Sequence, residues 1–284
     1  MLARDASPFL AALLMPGMKR GEHIEVEGGV SRTLFKNIRD VMETLEVWTD
    51  KTMKRISVLA DRTIKDPAQP AHTGVFFSGG VDSFYTFLKN KRKISHLIFV
   101  RGFDIPLQNK ELLAEVERNI RAVGRKEGKE VIIVETNLRD FSDPYVEWDW
   151  QVGGGLGAVA LALRGGLKRV FVASTYSYDQ MMPYGTHPDI DPLWSSEKMT
   201  IIHDGVEARR FEKVVWQVGK SKTALEHLKV CYQNPGSAYN CSKCEKCVRT
   251  MTNLEVAGVL GSARTFHLEL TPERIMAVRA HGLG

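Results

Sequence analysis

The chain has 284 residues, 43% hydrophobic and 26% charged, a balance that suits one large buried core plus an appendage and argues against a disordered polymer. No apolar run approaches the ~18 residues of a membrane span, and the apolar stretch 9–15 lacks the charged leader and the small-x-small cleavage site of a secretion signal. A net charge of +5 is compatible with anionic ligands, but there is no dense Lys/Arg tract of the kind that marks an RNA-binding surface.

Residues 9–15 are therefore expected to face a core. Residues 23–27 alternate like a short strand, and Gly28-Gly29 supplies a turn. Ser31 is placed to cap a helix in which Leu34, Ile38, Val41, Leu45 and Trp48 recur on one apolar face. A polar stretch, 61–73 with Pro67 and Pro70, separates this N-terminal α+β appendage (1–70) from a segment of different rhythm. From residue 74, short apolar runs at 74–77, 96–100, 131–134 and 170–173 alternate with helical patterns that begin near Phe84 and cover 112–123 and 157–163. Buried strands alternating with helices predict a Rossmann-like α/β domain over 71–225, a parallel sheet with helices on both faces, followed by a metal-binding C-terminal segment over 226–284. Ligands of such sheets lie at the carboxyl ends of the strands, so the loops after Phe77, Val100, Val134 and Ala173 should frame a site.

The first of those loops reads Ser78-Gly79-Gly80-Val81-Asp82-Ser83. Adjacent glycines let backbone N–H groups converge on an anion, the following helix adds its positive end, and Ser78 and Ser83 offer hydroxyls. Asp82 repels a bare phosphate; it makes sense if it orients Mg²⁺ or the loop itself. The absence of a Walker lysine and of G-x-G-x-x-G spacing disfavours a P-loop NTPase and a dinucleotide site.

All the cysteines fall between 231 and 247, as Cys231, Cys241, Cys244 and Cys247. Such crowding suggests a metal site in a reducing, cytoplasmic compartment, and four thiolates with no open position describe structural zinc. A [4Fe–4S] cluster and redox or sulfur-carrying thiols are the alternatives.

The 78–83 run resembles the signature of the ATP pyrophosphatase, or PP-loop, superfamily. The isolated Cys231, the C-x-x-C-x-x-C run and Arg249 resemble the 7-cyano-7-deazaguanine synthases within it, and the likeness runs from 74 to about 255. The resemblance implies ATP, Mg²⁺ and Zn²⁺, with residues 78–83 holding the pyrophosphate half of ATP. It puts adenine and ribose contacts after the second strand, at Val100 and Asp104, where a solvent-facing aspartate is the plain alternative. Arg210 stands where that family has a phosphate-contacting lysine and Asp179 where it has an aspartate; with Asp82 they are the expected catalytic residues. The implied enzyme is a carbon–nitrogen ligase. It adenylates a small-molecule carboxylate or amide, releases pyrophosphate, and lets ammonia or another amine displace AMP. A tRNA-modifying thiolase or amidotransferase of the same fold, and a nucleotide-binding regulatory protein with a degenerate site, are the other readings; a homodimer is allowed.

Two loops depart from that family. Gly153, Gly154, Gly155 and Gly157 replace an Arg-Asn pair, and they suit either close backbone approach to a ligand or tight helix packing. After the fourth strand come residues 174–179 and then a polar, Pro-rich stretch through His187, Asp189 and Asp191. Substrate contacts are expected at Gly154, Tyr178, His187 and Asp189, with His187 acting as an acid–base or substrate contact or only as a turn residue. Trp148, Trp150, Trp194 and Trp216 read as core or loop anchors.

Overall fold

The computed structural model describes residues 2–65 and 70–278. Its N-terminal part runs α1 (Ser7–Arg20), β1 (Ile24–Ser31), α2 (Arg32–Trp48), β2 (Val58–Ile64) and β3 (His72–Phe76). Then follow α3 (Val81–Lys89), β4 (His96–Arg101), α4 (Lys110–Glu127), β5 (Glu130–Glu135), α5 (Leu138–Ser142), α6 (Trp148–Leu163), β6 (Leu167–Ala173) and β7 (Thr200–Asp204). The chain continues through α7 (Arg210–Trp216), α8 (Lys222–His227), α9 (Glu245–Val256) and α10 (Pro272–Ala277). Strands β1 and β2 pair in parallel, and a five-stranded sheet has the order β5-β4-β3-β6-β7, with β4–β5 and β6–β7 parallel. Helix α4 packs on β4 and β5 and α6 packs on β6, the helical cover that apolar parallel strands require. The chain is α/β, and among the described residues no helix is long and apolar enough to cross a membrane.

Two compact units are distinguishable. The first comprises 1–74, 136–174 and 180–204; the second comprises 75–135, 175–179 and 205–284.

In the first unit, α1 buries Leu10, Ala11, Leu14 and Met15, as its apolar stretch predicts, but Phe9 at its start is exposed. Ser31 caps α2, its side chain accepting from Leu34 N at 3.2 Å. Leu34, Ile38, Val41 and Leu45 are buried. The expected Gly28-Gly29 turn is instead a bulge inside β1: Gly28 has φ +101° and the register with β2 shifts between Val26 and Gly29. The expected polar linker is shorter than 61–73, because residues 61–64 complete β2 and 72–73 begin β3; residues 66–69, with Pro67, lie outside the described residues.

Helix α6 starts at Trp148, well before residue 157, because tertiary packing overrides glycine's poor helix propensity of about 1 kcal/mol per residue. A Cβ on Gly153 would sit 1.8 Å from Gly185 O, and one on Gly157 would sit 2.9 Å from Trp194. Gly153→Ala is accordingly expected to destabilise the protein by about 1–3 kcal/mol or more in chemical denaturation, the range of overpacking substitutions. Gly166→Ala, with nothing within 4 Å of its added methyl, should be close to neutral and serves as the control.

In the second unit, Asn109 caps α4 by accepting from Leu112 N at 3.2 Å, and Leu112, Leu113, Val116, Ile120 and Val123 form its buried stripe. Helix α3 begins at Val81, directly at the end of the glycine turn and not near Phe84.

Candidate functional site

Strand β3 ends at Phe76, and Phe77 N donates to Ile98 O at 2.8 Å before the chain turns into α3. Phe77 stacks edge to face with Phe84 and Phe87, at ring separations of 4.8 and 5.8 Å, so a buried aromatic cluster ties the turn to its helix. Gly79 adopts φ +80°, a left-handed conformation that strains any other residue, and its carbonyl accepts from Lys229 N at 2.8 Å. Gly80 N meets Ser78 Oγ at 3.4 Å, and Ser83 Oγ donates to Gly80 O at 3.1 Å. Helix α3 has no side-chain cap, so its first-turn N–H groups, which no helical carbonyl can satisfy, point out of its N-terminal end.

Asp82 is the charge centre of this turn. Its carboxylate meets Arg210 Nη1 and Lys213 Nζ, each at 2.9 Å. The Lys213 side chain is 1% exposed, that of Arg210 17% and that of Asp82 20%. Burial pulls the Asp82 carboxyl upward, but the charges of Arg210 and Lys213 outweigh it and hold the group below the usual carboxylate range. Arg249 on α9 has its guanidinium pKa lowered by burial and by repulsion from Arg210, and its Nε bonds Glu245 at 2.9 Å. Arg210, Lys213 and Arg249 against Asp82 and Glu245 leave a local surplus of positive charge, and among the described residues the buried Nε of Arg210 has no hydrogen-bond partner.

Arg209, next to Arg210, pairs with Asp179 (Nε to Oδ2 2.8 Å), and Asp179 also accepts from Ser177 Oγ at 2.6 Å. These bonds hold Asp179 below the usual carboxylate range, on an exposed surface. Tyr178 N donates to Val206 O at 2.8 Å while the residue is 70% exposed. Val100 is buried within β4, and Asp104 is exposed in the loop that follows. Residues 78–83, Val100, Asp104, Tyr178, Asp179, Arg210 and the cysteines thus share the second unit, whereas Gly154, His187 and Asp189 belong to the first. There Gly154 serves packing, since an added Cβ would lie 2.8 Å from Ala11 O and 3.0 Å from Met15 Cε. His187 is buried edge-on against Trp48 at 4.6 Å, and its Nδ1 accepts from Asp189 N at 3.1 Å, as in a turn. Burial lowers its pKa. Asp189 is exposed.

Lys213 and Lys229 join this site without belonging to either sequence motif. The signal for Lys213 was its i, i+3 spacing from Arg210, which puts both cations on one helix face. Lys229 had no local signal.

The four cysteine Sγ atoms lie within 4.8 Å of one another, with Cys231–Cys244 at 3.8 Å and Cys241–Cys247 at 3.9 Å. They are unpaired thiols, too far apart for S–S bonds of about 2.05 Å. Zn–S bonds of about 2.3 Å give tetrahedral S···S edges of roughly 3.8 Å, so the set could hold a metal such as zinc. Cys241 and Cys244 flank a turn in which Ser242 has φ +56°, Cys244 is the N-cap of α9, and Cys247 lies in its first turn. Asn240 Oδ1 accepts from Val230 N at 2.8 Å and Cys231 N at 3.1 Å, which fixes the distant fourth ligand. Asn234 N and Cys244 N donate to the sulfurs of Cys231 and Cys241, each at 3.2 Å, as thiolate ligands favour. Hydrogen bonds from Cys244 and Cys247 hold the Cys231 thiol far below its ordinary range.

No family model, no curated protein and no solved structure matches the chain.

Proposed function

We propose that the chain binds ATP at residues 78–83 and cleaves it between the α- and β-phosphates to adenylate a small-molecule carboxylate or amide, which an amine or ammonia then attacks. The observation that carries this reading is the glycine turn at the head of α3 with Asp82 gripped by Arg210 and Lys213. Backbone N–H groups and a helix N-terminus suit the leaving pyrophosphate, and the two cations suit the charge that grows on it. Asp82 fits loop and cation orientation better than Mg²⁺ ligation, because both its oxygens already meet cations. In this reading the nucleotide's own phosphates would carry Mg²⁺, which would supply charge neutralisation. The chain's own contribution is positioning: it lines up the substrate oxygen with the α-phosphorus and holds the pyrophosphate as it departs. The four-cysteine set is taken as a structural zinc centre.

The test is the fate of α-labelled ATP offered with candidate acids. Label in AMP with pyrophosphate release is expected; label in ADP with free phosphate would sink the assignment. Arg210→Ala should lower kcat more than it raises KM if its guanidinium meets charge that develops only in the transition state. Submicromolar, RNA-selective binding at physiological salt would favour the tRNA-modifying alternative, since non-specific binding falls at roughly 10⁻⁴–10⁻⁶ M.

A further inference from the structure

The cysteine set and the glycine turn lie far apart in sequence, yet the second unit joins them by two routes. One is the strap at 227–234. Lys229 N donates to Gly79 O at 2.8 Å, and a Cβ on Gly79 would lie 3.7 Å from Lys229 Cβ, so the strap rests on the left-handed residue of the turn. The Lys229 side chain points the other way along the strap: its buried Nζ donates to Cys231 O at 2.8 Å and Asn234 Oδ1 at 3.2 Å. Asn240 Nδ2 and Thr265 Oγ1 both donate to Leu228 O, at 2.8 and 2.7 Å, which leaves the strap little freedom. The second route is helical. Helix α9 carries Cys247 in its first turn and packs on α7; α7 carries Arg210 and Lys213 and packs on α3, where Asp82 sits.

We propose that the metal centre is the device that sets the glycine turn for its anion, with Lys229 as the positioning residue between them. This rests on the reading of residues 78–83 as the phosphate site. Four thiolates closing on one cation fix Cys231 and the head of α9 together. Through Lys229 that closure fixes the Gly79 carbonyl, and through α7 it fixes the two cations on Asp82. Without the metal no common ion ties the four sulfurs together, so both supports of the turn loosen. Lys229 touches neither metal nor anion. Its backbone N–H holds the Gly79 peptide plane, and its buried ammonium holds the carbonyl of a ligand residue.

Hydrogen exchange of the 77–84 and 227–231 segments, read by mass spectrometry on zinc-replete and chelator-stripped protein, tests the coupling without any turnover. Stripping is expected to speed exchange in both segments by roughly tenfold or more, while β4 and β5 keep their protection. Because chelation can unfold more than this region, Lys229→Met supplies the second arm: it keeps all four thiols and removes the two Nζ hydrogen bonds. This variant should retain one zinc per chain and the wild-type melting temperature within a few degrees. Its 77–84 segment should exchange faster, and inorganic pyrophosphate should bind roughly tenfold more weakly by calorimetry. Unchanged exchange at 77–84 after metal removal, or unchanged exchange there in zinc-replete Lys229→Met, would overturn the proposal. A zinc-replete wild type that binds neither pyrophosphate nor ATP would instead sink the nucleotide reading and leave the exchange result standing.

Discussion

Asp82→Ala is expected to lose about 3–5 kcal/mol of stability, the usual effect of removing one partner from a buried ion pair. Lys213 is the reason. Its side chain is 1% exposed and its Nζ meets Asp82 at 2.9 Å, so deleting the carboxylate removes one counter-charge from a cation that water does not reach. Urea denaturation with a two-state fit measures the loss. Lys213→Met in the same background should recover part of it, because the double variant no longer buries the ammonium. A simple sum of the two single effects would show that the groups act independently. The pH dependence has a definite sign. Asp82 titrates below its unfolded value, so its contribution is fully present above the unfolded carboxylate pKa of about 3.9 and is lost as the pH falls through its lower folded pKa. Wild-type stability should therefore fall more steeply than that of Asp82→Asn on acidification below about pH 4.

The cysteine set should produce an effect of similar or greater size. Apparent binding free energies of structural zinc reach about 10–16 kcal/mol in small metal-dependent domains, and much of that is folding free energy. Elemental analysis should return one zinc per chain, and a thiol reagent should find the four cysteines protected until a chelator is added. Cys244→Ser removes both a ligand and the N-cap residue of α9. It should lose the metal and lower the melting temperature by roughly ten degrees, the shift that a loss of about 3–5 kcal/mol gives at the roughly 2–4 °C per kcal/mol of chains of about 150–250 residues. Stoichiometric iron with acid-labile sulfide would replace zinc by a cluster and strengthen the tRNA-thiolation alternative.

Both experiments address groups that differ in how far local sequence could announce them. The cysteines were legible because their ligand spacing is local: three of them fit within one turn and the head of a helix. The glycine turn was legible for the same reason, since a short apolar strand, two glycines and a helix start are consecutive. Strands β3 to β6 and the capped helix α2 also followed from period and punctuation alone.

Tertiary structure decided the rest, and in each case the cause is a contact between residues remote in the chain. Strand β7 pairs at the sheet edge with β6 and carries His203 and Asp204 at its end, so it showed no continuous apolar run. Helix α6 contains glycines that propensity alone would break, and it persists because α1, Gly185 and Trp194 come too close for any side chain. The glycine pair of β1 became a bulge because β2 was there to pair with it. The local motif puts Asp82 in a glycine turn of the kind that suits a phosphate, where a carboxylate looks out of place. Only folding brought Arg210 and Lys213 to it across 128 and 131 residues, turning an isolated negative charge into the anchor of two cations. Strand period, turn glycines and thiol spacing act over a few residues, so local order already announces the parallel strands, the glycine turn and the thiol set. Which of those groups neutralise one another was left to the packing of α3, α7 and α9, because a Coulomb interaction depends on distance through space and on burial, neither of which is written in local order.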